Sequence, residues 1–167
     1  EHIDTDDKYN LIVSFEVLEH IVSPDIFIKK CYDVIEDGGI INIEVPNHRD
    51  ILLFYNSPKY KSFYYHKAHI HYFTDKSLKQ LFEMNGFKGN VSSFLMYPFF
   101  NHVFWSQNNK PQGNADIALN TPVPIVNDTE AGNDINNFYK KTEIEYEKII
   151  NKHMLGDCLV FKGIKNG

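Results

Sequence analysis

The sequence predicts an α/β fold built on a parallel strand pair, and three observations point to it. Leu11 to Phe15 is a nearly continuous apolar run of the kind that fills a strand covered on both faces. Ile40 to Val45 is a second such run, and the segment between them has helical spacing, which makes one right-handed strand, helix, strand crossover. The first strand empties into Glu16, Glu19 and His20, at the carboxyl edge where sheets of this class place their ligands.

Each element has a local cause. Ser23-Pro24-Asp25 supplies a hydroxyl for the N-cap, a proline for the first helical position and an acid for the first turn, so a helix is predicted to begin at Pro24. Phe27, Cys31, Val34 and Ile35 recur at helical spacing, and Gly38-Gly39 offers a left-handed stop. Pro46-Asn47 cannot continue the second strand and turns the chain out on the same edge as Glu16. Asp50 to Tyr65 reads as aromatic and irregular, and His66, His69 and His71 follow it in a long connection over that edge. Thr74-Asp75 opens a helix that carries Leu78, Leu81 and Phe82 on one face and stops at Gly86, with Phe87 packing back beyond it; Lys88 to Leu95 is a third strand. From Met96 to about Gly132 the texture is Asn, Pro and Gly with isolated aromatics, the pattern of a lid or substrate-facing insertion. The insertion is assigned residues 96–155, including an amphipathic helix marked by Ile135, Phe138, Thr142, Tyr146, Ile149 and Ile150. Cys158 to Ile164 is the fourth strand.

The 167 residues suit one domain, 1–167, with a real core. A net charge of -5 without a basic stripe argues against nucleic acid as a partner, and no apolar stretch is long enough for a membrane span. Cys31 and Cys158 lie inside apolar segments and read as buried free thiols of a reducing, cytoplasmic compartment. The start at Glu1 shows neither an initiator Met nor a signal peptide, so the chain reads as a fragment.

Three motifs in order carry a resemblance: the strand with Glu16-Val17-Leu18-Glu19-His20; Asp37-Gly38-Gly39-Ile40-Ile41-Asn42-Ile43-Glu44-Val45-Pro46-Asn47; and His71-Tyr72-Phe73-Thr74 leading through Leu78 to Asn85-Gly86-Phe87. Together they resemble the second half of a class I S-adenosylmethionine-dependent methyltransferase. The stretch from Tyr97-Pro98 through Trp105 to Gly113 is similar to a tail of some bacterial members. The resemblance implies a Rossmann-like three-layer sandwich whose partial sheet corresponds to family strands 4-5-7-6, the last strand antiparallel. It also implies that the N-terminal strands holding the cofactor are missing, because no G-x-G-x-G run occurs in the sequence. Asn10 stands where many relatives carry Asp and reads as a tolerated turn-like residue. With strand 4 left as an edge, the fragment is expected either to pair as a homodimer through residues 9–15 or to be poorly behaved, and the chain alone is expected to be inactive.

The resemblance assigns S-adenosylmethionine as cofactor, bordered by Phe15 and Glu16, with Glu19, His20 and His71 as catalytic candidates. Asn47, His48 and Trp105 are the substrate-side candidates, for a hydroxyl or amine of a small molecule or saccharide. For Glu16, Glu19 and His20 two readings stand side by side. In one, Glu19 pairs with backbone amides and His20 lines the pocket. In the other, Glu16, Glu19, His20 and His69 hold a divalent metal such as Mg, Mn or Fe, as in the plant small-RNA 2′-O-methyltransferases, which are similar in using a Glu-x-x-Glu-His run with a later histidine. His66, His102 and His153 are assigned to surfaces or aromatic packing, and Trp105 to an anchor for the insertion. Two other functions are weighed: a catalytically empty interaction domain and a metal-dependent hydrolase using Glu16, Glu19, His20 and His69 around water.

Overall fold

In a computed structural model, residues 7–113 and 129–166 are described. Four strands, β1 (Tyr9–Phe15), β2 (Ile35–Pro46), β3 (Phe87–Phe94) and β4 (Cys158–Lys165), form one sheet in the order β1-β2-β4-β3. β1 and β2 are parallel, and β4 runs antiparallel to both β2 and β3. This is the α/β mixed sheet that the 4-5-7-6 arrangement implies. The described helices are α1 (Pro24–Val34), α2 (Pro58–Tyr64), α3 (Asp75–Met84), α4 (Phe99–Asn108) and α5 (Glu130–Lys152).

The main core lies on one face of the sheet. Ile41, Ile43 and Val45 alternate along β2 and pack with Leu159 and Phe161 of β4 against Ile28 and Cys31 of α1 and Leu78 and Phe82 of α3. The Phe82 and Phe161 rings stack at 3.9 Å. Ile12 of β1 joins this core, while Leu11, Val13 and Phe15 are 57%, 49% and 57% exposed on the opposite face. In register with Leu11, Ile40 and Ile164 are exposed as well. β1 is thus an edge strand whose second face no described residue covers. A smaller cluster of Leu52, Tyr60, Tyr64 and Trp105 sits apart from the main core.

Several local expectations change. Ser23 occupies the N-cap of α1 but makes no side-chain cap bond, whereas Thr74 and Ser77 form a full capping box at α3. α1 ends by passing directly into extended backbone at Ile35, so Gly38-Gly39 is not its stop. Gly38, at φ 77°, instead sits inside β2, where the pairing jumps from Tyr9↔Ile35 to Leu11↔Ile40. The stretch 50–65 is more regular than expected: a 3₁₀ turn at Ile51–Phe54 and α2 organise it. Phe99 to Asn108, assigned to an irregular insertion, is helical, because Pro98 precedes its first turn and Asn109 caps it in the left-handed region at φ 53°. α5 buries less than its periodicity promises: Ile135, Phe138 and Ile149 are exposed, and Ile150 is its one buried apolar side chain among the marker residues. The middle of the assigned insertion, residues 114–128, lies outside the described residues. Cys31 and Cys158 are free and buried, and burial pushes the Cys31 thiol up to about 12.

Candidate active site

β1 ends at Phe15, and Glu16 leaves it with φ 53°, a conformation that L residues with side chains adopt at a cost. Its amide still donates to the Glu44 carbonyl at 3.1 Å, so the turn stays fastened to β2 while the carboxyl swings out. A 3₁₀ turn at Leu18–His20 follows and buries Glu19 completely. The histidine loop clamps this turn from outside: the amides of Ile70 and His71 donate to the Glu19 carbonyl at 3.0 and 3.1 Å, and His20 Nδ1 lies 2.7 Å from the Ala68 carbonyl.

Side chains converge at the clamp. Glu19 Oε1 is 3.6 Å from His20 Nε2 and 3.8 Å from His69 Nε2, and the His20 and His69 rings meet edge-on at 4.8 Å. Neither carboxylate oxygen of Glu19 has a hydrogen-bond partner in the protein, and neither does His69 Nδ1. Burial raises the Glu19 carboxyl above the usual range. His69 is lowered to about 4 by burial and by the neighbouring His66 and His20, so its ring is neutral at physiological pH. The structure therefore brings together Glu19, His20 and His69, with donor atoms all within 4.8 Å of one another. Glu16, expected in the same set, falls instead into a second group with Glu44 of β2 and Cys158 of β4. Burial, then Glu19 and Glu44, push its carboxyl up to about 7.

Beside these groups, at the carboxyl ends of β1 and β2 and the start of β4, lies a cavity of about 220 Å³. Glu16, His69 and Cys158 line one side; Tyr60, Phe63 and Tyr64 of α2 line another. Its floor is a buried polar network absent from the sequence reading. Asp50 accepts from the Leu52 amide at 2.8 Å and from the Tyr60 hydroxyl. Asp157 accepts from the amides of Met96 and Tyr97 at 2.8 and 2.9 Å, and pairs with His102 Nε2 at 3.0 Å. His102 Nδ1 reaches the Tyr146 hydroxyl at 2.9 Å. Burial alone would lower the His102 pKa, but the bond to Asp157 and the surrounding carboxylates raise it. His102 is thus a buried member of the network, and of the two places expected for it the structure gives the aromatic one, its ring edge-on to Tyr146 at 5.7 Å.

The other expected site residues are placed as follows. Phe15 ends β1 on the open face. Asn47 is fully buried, and its amide is committed to the carbonyls of Met154 and Gly156 at 3.0 and 2.7 Å while its oxygen accepts from the Arg49 amide. His48 packs among Tyr64, Tyr65 and Tyr72. His71 contributes its backbone to the clamp, but its Nε2 turns to the Val22 carbonyl at 3.4 Å. Trp105 is buried against Tyr60 at 5.0 Å and approaches the cavity only through Tyr60 and Phe63. Asp50 and Asp157 carried one sequence signal, an acid just past a strand end or just before a strand start on the same edge. Nothing in the sequence pairs Asp157 with His102.

A family model for a methyltransferase domain matches residues 1–93, more than half of the chain. The chain belongs to that methyltransferase-domain family. The matched part ends in β3 and contains the strand-end turn, the histidine clamp and α3. Among solved structures, an S-adenosylmethionine-dependent methyltransferase from Thermotoga maritima is similar over 96% of this chain and 57% of its own, with TM-score 0.52 and 16% identity. A phosphoethanolamine N-methyltransferase from Haemonchus contortus, solved with S-adenosyl-L-methionine, is similar over 95% of this chain and 34% of its own, with TM-score 0.50 and 15% identity. At such identities the likeness is one of fold, and the chain spans little more than half of the first of these proteins and a third of the second. A comparison with curated protein sequences finds no match.

Proposed function

We propose that this chain forms the acceptor-side part of an S-adenosylmethionine-dependent methyltransferase, which moves a methyl group to a hydroxyl or amine of a small molecule or saccharide. The observation that carries this is the cavity at the carboxyl ends of β1 and β2, inside a chain of the methyltransferase-domain family, with the buried acid Glu19 and the neutral imidazole of His69 beside it. The residues present fit one side of the cofactor. Glu16 is held at the cavity by its strained turn, but no G-x-G-x-G run occurs in the sequence to cradle the methionine part. On this reading the rest of the cradle would be supplied by residues other than these, and the bare edge and open face of β1 are where they would attach.

S-adenosylmethionine, when bound, supplies a methyl already activated on a sulfonium, so little covalent chemistry falls to the protein. The side chains here orient and desolvate the acceptor. The buried Tyr60 and Tyr64 give the cavity an aromatic wall, and Glu16, with its carboxyl pushed up to about 7, can hold or release a proton there. Titration of the intact protein with S-adenosylhomocysteine is expected to show saturable binding, weakened at least about tenfold in the 167-residue chain alone. Failure of the intact protein to bind would overturn the reading.

A second reading adds a divalent cation. Glu19, His20 and His69 offer one oxygen and two nitrogens, and the orphaned oxygens of a fully buried Glu19 are what a cation would satisfy. Held there, it would lower the pKa of an acceptor hydroxyl. Titration with Mn²⁺ followed by electron paramagnetic resonance should show one site lost in Glu19→Ala. An unchanged titration in that variant would remove the metal.

A further inference from the structure

The cavity has a charge bias that methyl transfer by itself does not specify. Among the described residues its acidic lining groups are Glu16, Asp50 and Asp157, its basic-type groups are His66 and His69, and no Lys or Arg lines it. We propose that it binds a small amine as a cation, with the nitrogen against the Glu16 carboxylate and the carbon body against Phe63 and Tyr64. This deepens the methyl-transfer reading and rests on it.

Which groups are already engaged decides where the nitrogen goes. Asp50 and Asp157 spend their oxygens on Leu52, Tyr60, Met96, Tyr97 and His102, so they contribute field but few free acceptor positions. Glu16 has only the thiol of Cys158 at 3.8 Å, a weak donor. The Tyr64 hydroxyl is buried without a hydrogen-bond partner in the protein, on a residue that is 94% buried and lines the cavity. Glu16 with its weak donor and the unpartnered Tyr64 hydroxyl, both on residues that line the cavity, match an ammonium group, which donates N–H bonds and accepts none. Tyr60, Phe63, Tyr64 and Tyr97 add aromatic walls, which favour a cation over an anion. A carboxylate or phosphate ligand would meet Glu16, Asp50 and Asp157 as like charges.

The electrostatics agree. Glu16 faces Glu19 and His20 from its own turn, Glu44 from β2 and Cys158 from β4, with Asp50, Asp157, His66 and His69 around the cavity.

The test is calorimetric titration of the intact protein with 2-phenylethylamine, 2-phenylethanol and 3-phenylpropionate at pH 7. The amine is expected to bind about tenfold tighter than the alcohol, and the carboxylate least. Glu16→Gln should bring the amine down to the level of the alcohol, and Tyr64→Phe should weaken it by about threefold. Equal or tighter binding of the alcohol, or preference for the carboxylate, by the unsubstituted protein overturns the proposal, whether or not the variants fold. A parallel titration with S-adenosylhomocysteine separates the two readings. If it binds while the amine does not, the amine preference fails and methyl transfer stands; if the amine binds and it does not, methyl transfer fails.

Discussion

Two buried polar regions flank one cavity, and they are built on opposite terms. In the network of Asp50, Tyr60, Asp157, His102 and Tyr146, the carboxylates meet donors on both oxygens and the histidine is held at both nitrogens. In the cluster of Glu19, His20 and His69, a fully buried carboxylate has no hydrogen-bond partner, and a ring nitrogen of His69 has none either. Satisfied buried groups hold structure, whereas an unsatisfied one costs stability and calls for another explanation. The first region positions β4 against the loops that close the cavity; the second is where a ligand gains most by arriving.

Substitution should break the two regions differently. Asp157→Ala strands the amides of Met96 and Tyr97 and leaves a buried His102 without its counter-charge, so chemical denaturation should show a loss of about 3–5 kcal/mol. Glu19→Gln removes a charge that meets the His20 and His69 imidazoles at 3.6 and 3.8 Å, beyond hydrogen-bond reach, and its stability should stay within about 1 kcal/mol of the parent. Methyl transfer by the intact protein should nonetheless fall by about 10–100-fold in that variant, measured as S-adenosylhomocysteine release. If Glu19→Gln proved as destabilising as Asp157→Ala, the contrast between the regions would collapse.

The smallest effect lies in pH. Glu16 has a folded pKa raised from 4.5 to about 7, so the folded state binds its proton more tightly than the unfolded chain does. Its stabilising contribution is complete below pH 4.5 and is lost as pH rises through 7. His69 works the other way, because its pKa is lowered from 6.5 to about 4: its contribution is present above 6.5 and is lost as pH falls through 4. Thermal scans should therefore show Glu16→Gln gaining on the parent at pH 8, with the gap closing toward pH 4.5. A gap independent of pH would mean that Glu16 does not titrate at the cavity.

What could be read from the sequence was local. Pro24, Thr74 and Gly86 mark helix ends through their own backbone chemistry, and the apolar runs of β1, β2 and β4 announce strands; β1, expected to be covered on both faces, is instead an edge with Leu11, Val13 and Phe15 exposed. The turn from Glu16 to His20 was legible as a site because it follows such a strand. Gly38 misled, since a left-handed glycine signals a helix stop and a strand irregularity equally well, and only the pairing with β1 separates them. α4 was missed because Phe99, Phe100, Phe104 and Trp105 crowd a short segment without polar contrast at helical spacing. The roles of Asn47 and His102 depend on Met154, Gly156 and Asp157, far along the chain, and no local pattern encodes such a meeting.

The order of strands also sets when the cavity can exist. β4 is the last of the four strands in sequence, yet it lies between β2 and β3 and carries Cys158 and, just ahead of it, Asp157. During synthesis β1 and β2 can pair early, but β3 has no neighbour in the sheet until β4 emerges and threads between them. The cavity is therefore a late product of folding, closed by contacts of high sequence separation, and a ribosome-bound chain that stops short of β4 presents the acids at the end of β1 without a floor beneath them.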